Sequence, residues 1–221
     1  MTPSRASVAA GRRTWLFDLD GTLVDSCPAH EAAFRQAIAE IAPGALASFR
    51  YADHVGASTA EVASRLVPGD AVAAGRLARR KQGLYREYAE AGRVDVLPGA
   101  RRLLDRLTRD GRTLYLVTSG SRGSVERVLA ARSLDGCFRA VLTSDDVPVS
   151  KPDPEFYAYA CRRWAVDVAD AVVVEDSAHG VASAVGAGLA TFQVHAAEPA
   201  AGAISVPGLD EIVSLLHQEQ R

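Results

Sequence analysis

The chain has 221 residues, a hydrophobic fraction of 48% and a formal net charge of −2. That length supports one large domain or a core domain with an insert. The small net charge offers no bulk attraction to nucleic acid or to an anionic membrane surface, so neither is expected as a partner. No apolar run approaches the roughly 18 residues that a spanning helix needs.

Residues 1–13 carry Arg5, Arg12 and Arg13 among small residues and lack an apolar signal-peptide core, so they read as a flexible N-terminal extension. An apolar strand is expected over 14–17. It ends in Asp18 and Asp20, one residue apart, with Gly21 and Thr22 next. Two carboxylates at a strand end are costly unless a cation compensates them. Pro28 then opens a helical stretch in which Ala33, Phe34, Ala37 and Ile38 recur at helical spacing up to Pro43-Gly44. Asp25 and Ser26, before it, read as turn and cap residues. Ser58-Thr59-Ala60-Glu61 is a capping box. Residues 71–91 are rich in helix formers, and Arg76, Arg79, Arg80 and Lys81 along them suggest a solvated face. Residues 28–94 are therefore expected to be all-helical.

The pattern then alternates. Helices are expected after Pro98-Gly99, over 121–131, from Asp153-Pro154, over 177–185 and over 209–216. Strands are expected over 113–117, 140–142, 171–174 and 190–194. Such alternation predicts a doubly wound parallel sheet with helices on both faces, and the helical block after the first strand becomes an insert above its carboxyl edge, where ligands bind in open α/β sheets. The polar residues after the strands should gather there: Asp18 and Asp20, then Thr118 and Ser119, then Lys151, then Glu175 and Asp176. Hard oxygen ligands suit Mg²⁺, while an ammonium and hydroxyls suit a phosphoryl group. The three cysteines, Cys27, Cys137 and Cys161, form no metal pattern or disulfide framework, which fits a reducing cytoplasm.

These motifs resemble those of the haloacid dehalogenase superfamily, in its phosphatase and β-phosphoglucomutase-like branch with a helical cap. Asp18-Leu19-Asp20-Gly21-Thr22 matches the first motif, Thr118 the second, Lys151-Pro152 the third and Glu175-Asp176-Ser177 the fourth, in order. The resemblance implies a Rossmann-like core of residues 14–27 and 95–221, with residues 28–94 as the cap. It implies Asp18 as nucleophile and Asp20 as acid and base. Thr118, Ser119 and Lys151 would hold phosphate. Mg²⁺ would be held by Asp18, the Asp20 carbonyl and Asp176, with Glu175 acting directly or through water. His30, Gly56 and Lys81 are the cap positions implied to approach the substrate.

The activity expected from this resemblance is a Mg²⁺-dependent phosphatase acting on a small phosphorylated metabolite, a sugar phosphate or phosphoglycolate, as a monomer or homodimer. The alternative is a phosphomutase, which must hold a second phosphate; Val55-Gly56-Ala57-Ser58-Thr59 carries no basic residue for it, although Arg122 offers one. A dehalogenase needs neither Asp20 nor Mg²⁺. A phosphonate hydrolase needs a Schiff-base lysine, for which Lys81 is the single cap candidate. A phospho-acceptor signalling module needs no cap.

Overall fold

The computed structural model describes residues 5–54 and 57–218. In chain order the elements are α1 (Arg5–Gly11), β1 (Thr14–Phe17), β2 (Val24–Asp25), α2 (Cys27–Ile41), α3 (Thr59–Leu66), α4 (Ala71–Glu90), β3 (Asp95–Val96), α5 (Ala100–Arg109) and β4 (Thr113–Val117). They continue with α6 (Arg122–Ala131), β5 (Ala140–Leu142), α7 (Glu155–Trp164), β6 (Ala171–Glu175), α8 (Ala178–Gly186), β7 (Ala190–Gln193), β8 (Ile204–Ser205) and α9 (Leu209–Gln218).

Six strands form one parallel sheet in the order β5-β4-β1-β6-β7-β8. The chain moves outward from β1 to β4 and β5, then returns to the other side of β1 for β6, β7 and β8. The strand order thus reverses at β1, and the crevice at such a reversal is where open α/β sheets take ligands. Side chains alternate across the sheet. Trp15 and Phe17 of β1 pack with Val172 and Val174 against α5 and α9, whereas Leu16 and Val173 pack with Phe156, Tyr157 and Ala160 of α7. Covering both faces explains why these strands read as continuous apolar runs.

Between β2 and β3 the described residues form only helical elements and loops. The chain leaves and rejoins the sheet through the β2–β3 ribbon, with Val24 opposite Val96 and Asp25 opposite Asp95. These helices bury Phe34, Ile38, Leu77 and Leu84 among themselves, and α4 lies against α6. The Ser58 capping box is formed: Ser58 Oγ accepts from Glu61 N at 3.2 Å, and Glu61 Oε2 accepts from Ser58 N at 2.8 Å.

The expectation of a flexible extension over 1–13 is corrected for its described part. Arg5–Gly11 is a helix packed on α9, with Val8 and Ala9 buried. Arg112 holds it by donating to the carbonyls of Ala10 (2.7 Å) and Arg12 (2.9 Å), capping acceptors that the helix leaves unpaired. Smaller differences concern termini. Helix α7 begins at Glu155, one residue later than a Pro154 start implies, yet Asp153 Oδ1 still accepts from Glu155 N at 2.9 Å.

Candidate active site

Three of the strand ends meet at β1. Asp18 is the first residue beyond the strand, and its amide donates to the Val174 carbonyl of β6 at 3.0 Å, which fixes the backbone there. One oxygen each of Asp18, Glu175 and Asp176 lie within 4.8 Å of one another. Lys151 Nζ is 2.6 Å from Asp18 Oδ1, 2.6 Å from Glu175 Oε1 and 3.1 Å from the Val117 carbonyl, so all three of its N–H bonds are used. Gly21 has φ +81°, and a Cβ there would lie 2.2 Å from Asp176 Oδ2, so only glycine lets the turn after Asp20 approach this carboxylate. Thr22 Oγ1 donates to Asp176 Oδ1 at 3.2 Å.

The charges are unbalanced. Burial pushes the Asp18 carboxyl well above its usual range, and the charges of Glu175 and Asp176 add to this against the opposing Lys151. Burial and Glu175 likewise raise Asp176 to about 7. Burial alone would depress Lys151, but Asp18 and Glu175 outweigh it and keep the ammonium protonated. Three carboxylates, two of them buried, thus lie beside one ammonium, and the chemistry of that donor set fits a hard divalent cation.

Asp20 is treated differently from Asp18. Burial would raise its carboxyl, yet His30, the Ser26 hydroxyl and the Lys81 charge hold it below the ordinary value. Tyr85 Oη donates to Asp20 Oδ1 at 3.3 Å, and His30 Nε2 stands 3.8 Å from the same oxygen, beyond hydrogen-bond reach. The His30 ring stacks on Tyr85 with centroids 3.9 Å apart. Lys81 Nζ lies 2.8 Å from His30 Nδ1 and 3.3 Å from Thr59 Oγ1. Burial lowers Lys81 to about 8, and burial with the Lys81 charge lowers His30.

Among the cap positions named from sequence, His30 and Lys81 therefore converge on Asp20, while Gly56 lies outside the described residues. Lys81 also departs from the solvated face expected of its helix: Arg76 and Arg79 are exposed, but Lys81 is 4% exposed. Thr118 is buried at the end of β4, and its Oγ1 accepts from Gly120 N at 3.1 Å; Ser119 beside it is exposed. Ser26 is the N-cap residue of α2, in line with its reading as a cap, although its side chain makes no capping hydrogen bond. Arg122 is engaged by Asp146, and its amide donates to Asp145 Oδ2 at 2.8 Å. Sequence reasoning named Thr22 only as part of the first motif, without its contact to Asp176, and missed Tyr85 and Tyr157. Tyr85 had a usable signal, since it follows Lys81 by one helical turn and shares its face.

A parallel sheet that gathers carboxylates and an ammonium at its switch point, beneath helices contacting one of those carboxylates, defines an α/β protein with an acidic ligand-binding centre. Residues 15–194 match the family described as Haloacid dehalogenase-like hydrolase, and the chain belongs to that family. It is 33% identical over 213 residues to the plasmid phosphoglycolate phosphatase of Cupriavidus necator, covering 91% of this chain and 88% of that protein. It is 30% identical over 184 residues to a phosphoglycolate phosphatase of Nitrosospira multiformis, covering 81% of each. Among solved structures, CbbY from Rhodobacter sphaeroides in complex with phosphate superposes with a TM-score of 0.80 at 24% identity, over 93% of this chain and 99% of that one, a likeness of fold.

Proposed function

We propose that the chain is a Mg²⁺-dependent phosphatase that hydrolyses a small phosphorylated metabolite, of the phosphoglycolate or sugar phosphate class, through an aspartyl-phosphate on Asp18. The observation that carries this reading is the unequal treatment of the two aspartates. Asp18 sits against Lys151 in the acidic centre, while Asp20 accepts from Tyr85, with His30 beside it, both from the helical insert. This difference supports a reading in which Asp18 attacks phosphorus and Asp20 moves a proton.

The Asp18 carboxylate attacks phosphorus, and the bond from phosphorus to the ester oxygen breaks. The leaving oxygen takes a proton from Asp20, whose affinity for one rises when a phosphoryl dianion arrives beside it. Water then gives its proton to Asp20 and attacks the aspartyl-phosphate, releasing phosphate and restoring Asp18. Lys151 binds phosphoryl oxygens, with Thr118 and Ser119 as further donors. Asp18, Asp176 and the Asp20 carbonyl would hold Mg²⁺, which neutralises phosphoryl charge when bound. Residues 28–94 act as the cap that excludes water until the substrate is aligned, and residues 14–27 and 95–221 as the core.

The phosphomutase alternative requires a cation for a second phosphate, and Arg122 is already committed to Asp146. The free Cys27, Cys137 and Cys161 accord with a cytoplasmic enzyme. Among the described residues no helix is long and apolar enough to cross a membrane.

The test is phosphate release from a panel of phosphorylated metabolites with Mg²⁺. Asp18→Asn should remain folded and lose turnover, and retained activity above about a tenth of wild type would remove Asp18 as nucleophile. Interconversion of hexose phosphates without phosphate release would favour the mutase instead.

A further inference from the structure

Glu175 is fully buried at the centre, yet both its oxygens are already committed. Oε1 accepts from Lys151 Nζ at 2.6 Å and from Tyr157 Oη at 3.1 Å. Oε2 accepts from Asp176 N at 3.1 Å, Ser177 N at 3.3 Å and Ser177 Oγ at 3.2 Å. Five donors saturate the roughly four lone-pair sites of a carboxylate. Gly180 closes the remaining side, since a Cβ there would fall 1.8 Å from Oε1. A carboxylate so enclosed serves as a fixed anchor.

What it anchors is Lys151. A lysine stem is flexible, so the acceptors around the ammonium set its position. Two of the three acceptors are immobile: the Val117 carbonyl belongs to the sheet, and Glu175 is held from both ends. The third, Asp18, must turn toward phosphorus for the reaction proposed above, which frees one N–H of Lys151 for a phosphoryl oxygen. Tyr157 lies in the first turns of α7, which follows Lys151 in the chain. Its ring also stands against the ammonium, 5.0 Å from Nζ to the ring centroid.

We propose that Tyr157 is a positioning residue of this site, whose hydroxyl fixes Oε1 of Glu175 and thereby sets where the Lys151 ammonium meets the phosphoryl group. The inference rests on the phosphatase reading. No bond or proton changes hands at Tyr157, which remains a donor throughout.

Tyr157→Phe deletes the hydroxyl and keeps the ring, so the core packing and the contact with Lys151 persist. In the full chain with Mg²⁺, orthovanadate serves as the phosphoryl-site probe and p-nitrophenyl phosphate as substrate. Loss of a hydrogen bond to a charged group predicts that the vanadate inhibition constant and KM rise about tenfold. The Mg²⁺ concentration for half-activity should move less than about twofold, because the ligands proposed for the metal are untouched. A role in packing alone would not separate these two quantities. In a Glu175→Gln background the same deletion should change vanadate inhibition by less than about threefold, since the charged acceptor is gone. Wild-type vanadate inhibition in Tyr157→Phe, or an equal loss in both backgrounds, would overturn the proposal, as would a shift in Mg²⁺ demand alone. A wild-type protein that neither releases phosphate nor binds vanadate would remove the phosphatase reading as well, whereas wild-type turnover with an unaffected Tyr157→Phe removes this one only.

Discussion

Lys81 is an ammonium and can only donate, so its 2.8 Å contact makes His30 Nδ1 an acceptor and leaves the ring proton on Nε2, facing Asp20. The tautomer thus depends on the charge of a lysine that burial has lowered to about 8. Below that pH Lys81 is charged and the tautomer is imposed. Above it, the neutral amine can accept as well as donate, and the orientation of the proton is lost. The kcat/KM profile should therefore fall as pH rises through about 8, and Lys81→Met should have a lower plateau without that limb. A limb that persists unchanged in Lys81→Met would detach it from Lys81. How much of this was legible in the sequence follows from distance along the chain. Asp18, Asp20, Glu175 and Asp176 follow apolar strands, so local pattern announced them. The partnership of His30 with Lys81, and of Glu175 with Tyr157, joins residues on different elements, and only packing brings these side chains together.

At the scale of elements, the strands of four or five residues were legible because they are buried on both faces and read as apolar runs. The two-residue strands β2, β3 and β8 carry too little pattern to announce themselves. Helix α1 was missed because its anchor, Arg112, lies beyond four intervening α-helices and three strands. The capping box of α3 was legible, since its four residues are adjacent. It places Thr59 against Lys81, so its loss tests an element and a site together. Ser58→Ala should destabilise the protein by about 1 kcal/mol, read from the urea midpoint. An unchanged midpoint would mean that α3 is held by packing alone. Helix α8 is constrained more tightly at its start. Gly180→Ala would drive a Cβ into Glu175, so either the helix or the carboxylate must shift. A displacement of about 1 Å at such a centre costs on the order of a hundredfold in rate, and phosphate release should fall by about that factor. Near-normal turnover would show that Glu175 can move without harm.

For the whole molecule, the sheet's strand reversal at β1 concentrates carboxylates at one edge, with Asp18 and Glu175 buried there. That arrangement links stability to pH and to cations. Asp176 has its folded pKa raised to about 7 by burial and by Glu175, above an ordinary carboxylate value of 3.8. The sign follows from proton binding: the folded state holds a proton that the unfolded chain releases more readily. Stability from this group is therefore present below the ordinary carboxylate pKa and is lost as pH rises toward about 7. Asp18, raised in the same direction, acts alike. A divalent cation binding the ionised carboxylates opposes that loss, and its stabilisation grows with saturation of the folded state alone. Protons and the cation compete for the same oxygens, so the cation should stabilise little at low pH and strongly near neutrality. Thermal melting with and without millimolar Mg²⁺ is the measurement. The shift in Tm should be several degrees larger at pH 7.5 than at pH 5 for a change of a few kcal/mol. An equal shift at both pH values would mean that Mg²⁺ binds away from Asp18 and Asp176, and the acidic centre would then have to be balanced by the substrate and Lys151 alone.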